Sequence, residues 1–245
     1  MQFLILNGTL CTPSLWSPFC ESIQKTMGNI IKTEKDFFTF PDITTGDPIS
    51  ELATKVGDAL QKNEKPTWVL GYSLGGIIAL ELMRNYQDVV QGLILVCSNA
   101  NGQTKEKQEG LEKQRAYVQS YGLENLFDEI LLPLYFGETL EKNTHLAETI
   151  KCAGMELGET VLLRQLQSLE TRSDQIPNLH KINTPTLLVY GEHDPLCTPS
   201  QNQRMHEKFP QSTAREYKNT GHMLPFLQSE KLTQDVVAFM KATKN

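Results

Sequence analysis

Three residues in this chain have the types and the order that nucleophilic acyl transfer requires: Ser73, Asp194 and His222. Ser73 stands in Gly71-Tyr72-Ser73-Leu74-Gly75-Gly76, after the apolar run Pro66–Leu70 and before the helix-like stretch Ile77–Leu82. That is a G-x-S-x-G sequence at a strand-to-helix turn, which leaves the serine on a strained backbone with its hydroxyl above the sheet edge. Serine attacks poorly at its own pKa and needs a neutral imidazole within reach, held in one tautomer by a carboxylate. His222, in Asn219-Thr220-Gly221-His222-Met223-Leu224, is the expected base. Asp194, in Gly191-Glu192-His193-Asp194-Pro195, is the expected orienting acid, with Glu192 and Asp174 as weaker substitutes. Taken singly, each has an ordinary explanation: a capped turn, an Asp-Pro turn, a solvated loop histidine. Their order, Ser then Asp then His, with each beyond a strand, favours the catalytic reading.

An attacked carbonyl also needs donors for its developing charge. The helix that begins at Ser73 aims its positive end and the free N–H of Leu74 at that oxygen. A second donor is expected from the loop after the first strand, Asn7-Gly8-Thr9-Leu10, with Leu10 assigned and Thr9 the competing choice. Gly8 is expected to let the backbone turn there. The substrate pocket is expected among Trp16, Tyr72, Leu134, Tyr135, Phe136, Leu196, Met223 and Phe226. Simple core packing would account for about half of them.

These residues need a scaffold. Strand-like runs recur at Gln2–Leu6, Asp36–Phe40, Thr67–Leu70, Gly92–Cys97, Thr186–Tyr190 and Ala214–Tyr217. Helix-like stretches alternate with them at Leu15–Thr26, Ile49–Lys62, Leu74–Tyr86, Pro199–Lys208 and Lys231–Ala242. Alternation of this kind predicts an α/β fold, a mostly parallel sheet covered by helices on both faces. Residues 101–181 break the pattern: no strong strand, and helical stretches interrupted at Pro133, Gly137, Gly154 and Gly158. We expect a core of residues 1–100 and 182–245, with 101–181 inserted as a helical lid over the carboxyl ends of the strands, where ligands bind in open α/β sheets.

Composition narrows the function classes. The chain has 245 residues, 39% hydrophobic and 21% charged, long enough to bury a core without disulfides. Its net charge of −6, with acids and bases interspersed, gives no footprint for nucleic acid or an anionic membrane. No apolar run approaches the ~20 residues of a membrane helix, and the N-terminus has no signal-peptide pattern. Five cysteines without a C-x-x-C pair suit a reduced compartment, so a cytoplasmic protein is expected.

With GYSLGG, GEHDPL and NTGHML, and LNGTL at the oxyanion-loop position, the chain resembles the α/β-hydrolase superfamily over nearly its whole length. Within it, the chain is most similar to small lidded bacterial esterase-like proteins whose first strand runs into a G-T-L-C loop, here Gly8-Thr9-Leu10-Cys11. Members often carry His-Gly where this chain has Asn7-Gly8, and Glu-x-Pro where it has Gln228-Ser229-Glu230-Lys231. The resemblance implies a family sheet trimmed at its start, ester hydrolysis, and no metal or cofactor. The expected substrate is a small-molecule ester or thioester with a small to medium apolar acyl group, acted on by a monomer or homodimer. Three rivals stand beside this: a lyase of the same fold using the serine as base, as in the menaquinone pathway; a ligand-binding pseudoenzyme; and chemistry at Cys11, Cys97 or Cys197. A cluster of lid arginines among Arg115, Arg164 and Arg172 would favour the lyase.

Overall fold

The computed structural model describes residues 1–28, 37–63 and 65–243. Among these described residues, six strands form one sheet in the order β2-β1-β3-β4-β5-β6, every neighbouring pair parallel. They are β1 (Gln2–Leu6), β2 (Phe38–Thr39), β3 (Thr67–Tyr72), β4 (Val90–Val96), β5 (Thr186–Gly191) and β6 (Ser212–Tyr217). β1, β3 and β5 are buried at every position, as expected of parallel strands covered on both faces. Asp36, the predicted start of the second strand, lies outside the described residues.

Alternate side chains feed two cores. Phe3, Ile5, Trp68 and Leu70 point to one face, where α1 (Ser17–Met27) and α9 (Ser229–Ala242) add Phe19, Ile23, Val236 and Met240. Leu4, Leu6, Val69 and Leu95 point to the other, against Leu52, Val56, Ile78 and Leu82 of α2 (Ile49–Gln61) and α3 (Leu74–Tyr86). The predicted first helix is split: a 3₁₀ turn over Pro13–Trp16 precedes α1.

Between β4 and β5 the chain forms α4 (Lys105–Leu126), α5 (Leu132–Phe136) and α6 (Thr144–Glu170). Helix breaks fall at Gly122 and Gly158, each with φ of +82°. Gly154, expected to interrupt, stays helical. A Cβ there would lie 2.2 Å from the Phe127 ring, so its glycine serves close packing. Pro133 sits in the first turn of α5, directly after a π-helical turn over Phe127–Leu131, and that wider turn rather than a break accommodates its missing N–H. After β5 come α7 (Pro199–His206) and, past β6, the short α8 (Leu224–Leu227). Among the described residues, no helix is long and apolar enough to cross a membrane.

Candidate active site

β3 ends at Tyr72 and α3 begins at Leu74, so one residue must make the whole turn. Ser73 does so at φ +52°, ψ −114°, a conformation that ordinary side chains avoid. Close packing leaves no alternative. A Cβ at Gly75 would lie 1.9 Å from Leu6 O, and one at Gly71 would lie 2.6 Å from Gly75 O. The Ser73 N–H donates to Val96 O at 3.1 Å and Ser98 Oγ donates to Ser73 O at 3.0 Å, pinning the turn to β4. Leu74 opens α3, so its N–H has no acceptor within the helix.

His222 Nε2 lies 3.0 Å from Ser73 Oγ, and Nδ1 lies 2.8 Å from Asp194 Oδ2. Both His222 and Asp194 are 2% exposed. The other oxygen of Asp194 accepts the N–H groups of Leu196 (2.9 Å) and Cys197 (3.0 Å). Burial opposes ionisation of Asp194, but the charge and hydrogen bond of His222 and the two backbone donors outweigh it and hold the carboxyl below the usual carboxylate range. An ionised Asp194 fixes the tautomer with Nδ1–H donated to it, leaving Nε2 to accept the Ser73 proton. The two loops are stacked: His193 N–H donates to Thr220 O at 3.0 Å, and a Cβ at Gly191 would come within 2.3 Å of that oxygen. The substitute acids are occupied elsewhere. Glu192 accepts from Lys218 Nζ (3.1 Å) and Asn219 N–H (3.0 Å), and Asp174 caps Ile176 N–H at 3.1 Å.

At the oxyanion loop the structure departs from the expectation. The Leu10 N–H donates to Gln165 Oε1 of α6 at 2.9 Å, so it is turned away from the cavity beside Ser73. Thr9 lines that cavity together with Ser73 and Leu74. The left-handed backbone falls on Leu10 (φ +53°) rather than on Gly8. Gly8 is required for another reason: a Cβ there would meet the Tyr72 ring at 2.7 Å.

The cavity holds about 370 Å³, enough for a small ligand. Of the pocket residues expected from sequence, Tyr135 and Leu196 line it. Trp16, Tyr72, Leu134, Phe136, Met223 and Phe226 are not among its lining residues. Successive strand residues face opposite ways, so Tyr72 points away from the side that Ser73 serves. Its ring meets Trp16 at 6.0 Å and Phe226 at 5.4 Å, edge to face. Its hydroxyl donates to His222 O at 3.2 Å and lies 3.5 Å from Met223 Sδ. This aromatic group therefore carries the histidine loop. The imidazole itself sits between the rings of Tyr72 (5.5 Å) and Tyr135 (5.6 Å). Leu134 is half-buried and Phe136 buried, both in the packing of α5.

The lining that sequence reasoning missed comes largely from Ile77, Leu162, Leu166 and Leu169, with Asn99, Gln103, Lys107 and Arg172. Leu162, Leu166 and Leu169 fall at i, i+4, i+7, a stripe visible in the sequence, although which surface it covers is not.

Cys97, Asp194 and His222 place their ligand atoms within 4.8 Å of one another, the one His/Cys/acid cluster among the described residues able to hold a metal. Metal binding there would require Cys97 as thiolate and would compete with the Asp194–His222 bond. Burial, then the Asp194 charge, pushes the Cys97 thiol well above its usual range. Burial likewise raises Cys197, and raises Cys11 to about 12. Thiols kept protonated in this way are poor nucleophiles.

A family model described as Hydrolase_4, serine aminopeptidase S33, matches residues 47–227. The pimeloyl-[acyl-carrier protein] methyl ester esterase of Photorhabdus laumondii is 26% identical over 67% of this chain and 64% of its own length. The proline iminopeptidase of Elizabethkingia meningoseptica is 26% identical over 76% of this chain and 69% of its own length. The chain thus spans about two thirds of the length of these curated relatives. Among solved structures, a thermophilic esterase from Thermogutta terrifontis, with malate bound, superposes with a TM-score of 0.83 at 18% identity, over 100% of this chain and 91% of that one.

Proposed function

The chain belongs to the serine aminopeptidase S33 family of the α/β-hydrolase superfamily, and on that premise we propose that it is a serine hydrolase of carboxylic esters or thioesters, working through an acyl-enzyme. The observation that carries this reading is the unbroken pair of hydrogen bonds from Ser73 Oγ to His222 Nε2 and from His222 Nδ1 to Asp194. His222 takes the Ser73 proton as Oγ attacks the carbonyl carbon. The tetrahedral oxyanion is held by the N–H groups of Leu74 and of Thr9, which replaces Leu10 as second donor. Collapse breaks the bond to the leaving oxygen or sulfur, which departs with the proton from His222. A water molecule, deprotonated by His222, then attacks the Ser73 ester and releases the acid.

Residues 101–181 act as a lid, and the leucines of α6 that line the cavity suit a small to medium apolar acyl group. The esterase activity of the Photorhabdus laumondii relative supports an ester substrate. The lyase reading asks for a cluster of lid arginines, whereas Arg115 pairs with Glu170 and, of the three arginines, Arg172 alone lines the cavity.

Turnover of a p-nitrophenyl ester panel by wild type and Ser73→Ala tests the proposal. We expect kcat to fall by roughly 10⁴ to 10⁶ and fluorophosphonate labelling to disappear. Normal turnover by the variant would refute it. Labelling of the wild type without turnover of any ester would point to a ligand-binding role.

A further inference from the structure

Among the described residues, the charged side chains lining the cavity are two cations, Lys107 and Arg172, with no aspartate or glutamate beside them. Lys107 stands in the first turn of α4 and Arg172 just past the end of α6, so two separate elements bring them together. Their hydrogen-bond acceptors among the described residues are neutral: Lys107 Nζ donates to Gly102 O at 3.1 Å and Arg172 Nη2 to Asn99 Oδ1 at 3.3 Å. Two further donors on the same wall, Arg172 Nε and Gln103 Nε2, are buried without an acceptor among the described residues. Asp174 influences Lys107, but its carboxylate is engaged by the Ile176 N–H.

Such an arrangement is costly without a ligand, because buried donors normally find acceptors and like charges repel. The strain is visible at Lys107, where burial and then the Arg172 charge lower the ammonium pKa to about 8. A bound carboxylate would meet both needs, accepting from the guanidinium and the amide while its negative charge offsets the repulsion between the two cations.

We infer that this wall is a subsite for an anionic group: the substrate is an ester or thioester whose acyl chain ends in a carboxylate, with apolar carbons between that end and the scissile carbonyl. The inference rests on the hydrolase reading above and specifies its substrate class. It reconciles the two kinds of lining, since Leu162, Leu166 and Ile77 meet the methylenes while Arg172, Lys107 and Gln103 meet the far end.

The test compares monomethyl esters of straight-chain dicarboxylic acids with methyl esters of alkanoic acids of the same chain length, read as kcat/KM by titration of released acid. Wild type should prefer the charged ester by about tenfold or more, the size of one charge-assisted hydrogen bond. In Arg172→Gln and in Lys107→Gln, that ratio should fall towards one. No preference in wild type, or an equal loss on both esters in the variants, overturns the subsite. Calorimetric titration of Ser73→Ala with the free dicarboxylates, and separately with inorganic phosphate, reads binding without turnover. Saturable dicarboxylate binding that is lost on adding Arg172→Gln supports the subsite; binding of phosphate alone, or no binding, overturns it. If dicarboxylates bind but no ester is cleaved, the hydrolase reading fails and the subsite stands. If neutral esters are cleaved and nothing binds, the reverse holds.

Discussion

Asp194 faces a test that Ser73 does not, because its proposed role is exerted wholly through another side chain. It is buried, held ionised by His222 and two backbone N–H groups, and does not line the cavity. If it sets the tautomer of His222, Asp194→Asn should leave the fold intact while the amide donates to Nδ1 and puts the proton on Nε2, where it cannot accept from Ser73. A loss of about 10⁴ in kcat is expected at neutral pH, with the circular dichroism spectrum unchanged. A loss below about tenfold would mean that the imidazole is oriented mainly by the Tyr72 and Tyr135 rings between which it lies. Ser73, Asp194 and His222 were each legible in the sequence, because each follows a strand and is bracketed by the glycines or turn residues that such a position demands. The role of Tyr72 was not, since a residue next to the nucleophile reads as a pocket residue until the strand's alternation is known.

At the scale of elements, a buried hydrogen bond joins the oxyanion loop to α6 across 155 positions of sequence, Leu10 N–H to Gln165 Oε1. Gln165 is 1% exposed, and water does not readily replace it. The bond fixes the Thr9–Leu10 peptide at the left-handed turn of Leu10, and so anchors Thr9 from its carboxyl side and limits where its own N–H can point. Gln165→Ala should therefore lower kcat about tenfold, a fraction of the 10² to 10³ that loss of a whole oxyanion donor costs, with little change in KM. Gln165→Glu, which keeps an acceptor oxygen, should recover most of it. Equal kcat in all three proteins would show that the loop holds its shape without α6. Apart from β2, whose expected start lies outside the described residues, the strands and helices of the sheet lie within about two residues of their expected ends, because short apolar runs between turn residues have few other solutions. Boundaries in residues 101–181 were less legible: Gly154 and Pro133 read as breakers in isolation, and the Phe127 ring and the α5 terminus that accommodate them are tertiary facts.

For the whole molecule, the decisive question is whether the segment between β4 and β5 behaves as a separate body. Its return strap is tied to the sheet layer at Glu81 of α3, which is 9% exposed and accepts from Ser173 Oγ (3.0 Å), from Gln175 Nε2 and from Arg84 Nη1 (2.7 Å). Gln175 N–H adds a bond to Ala100 O at 2.8 Å, so the two ends of the segment, just past β4 and just past α6, are fastened to each other. Arg172, on the cavity wall, lies one residue before this knot. Removing the Glu81 carboxylate takes an acceptor from the buried Gln175 Nε2, at a cost of about 2 to 3 kcal/mol. In a domain of this size, each kcal/mol lowers Tm by roughly 2 to 4 °C, so Glu81→Ala should melt about 4 to 12 °C lower. Because the knot joins the 101–181 segment to the sheet, far-ultraviolet circular dichroism signal and hydrolase activity should still be lost together in a single transition. Loss of activity well below the main unfolding transition, in the variant but not in wild type, would instead identify residues 101–181 as a unit able to open while the sheet beneath remains folded.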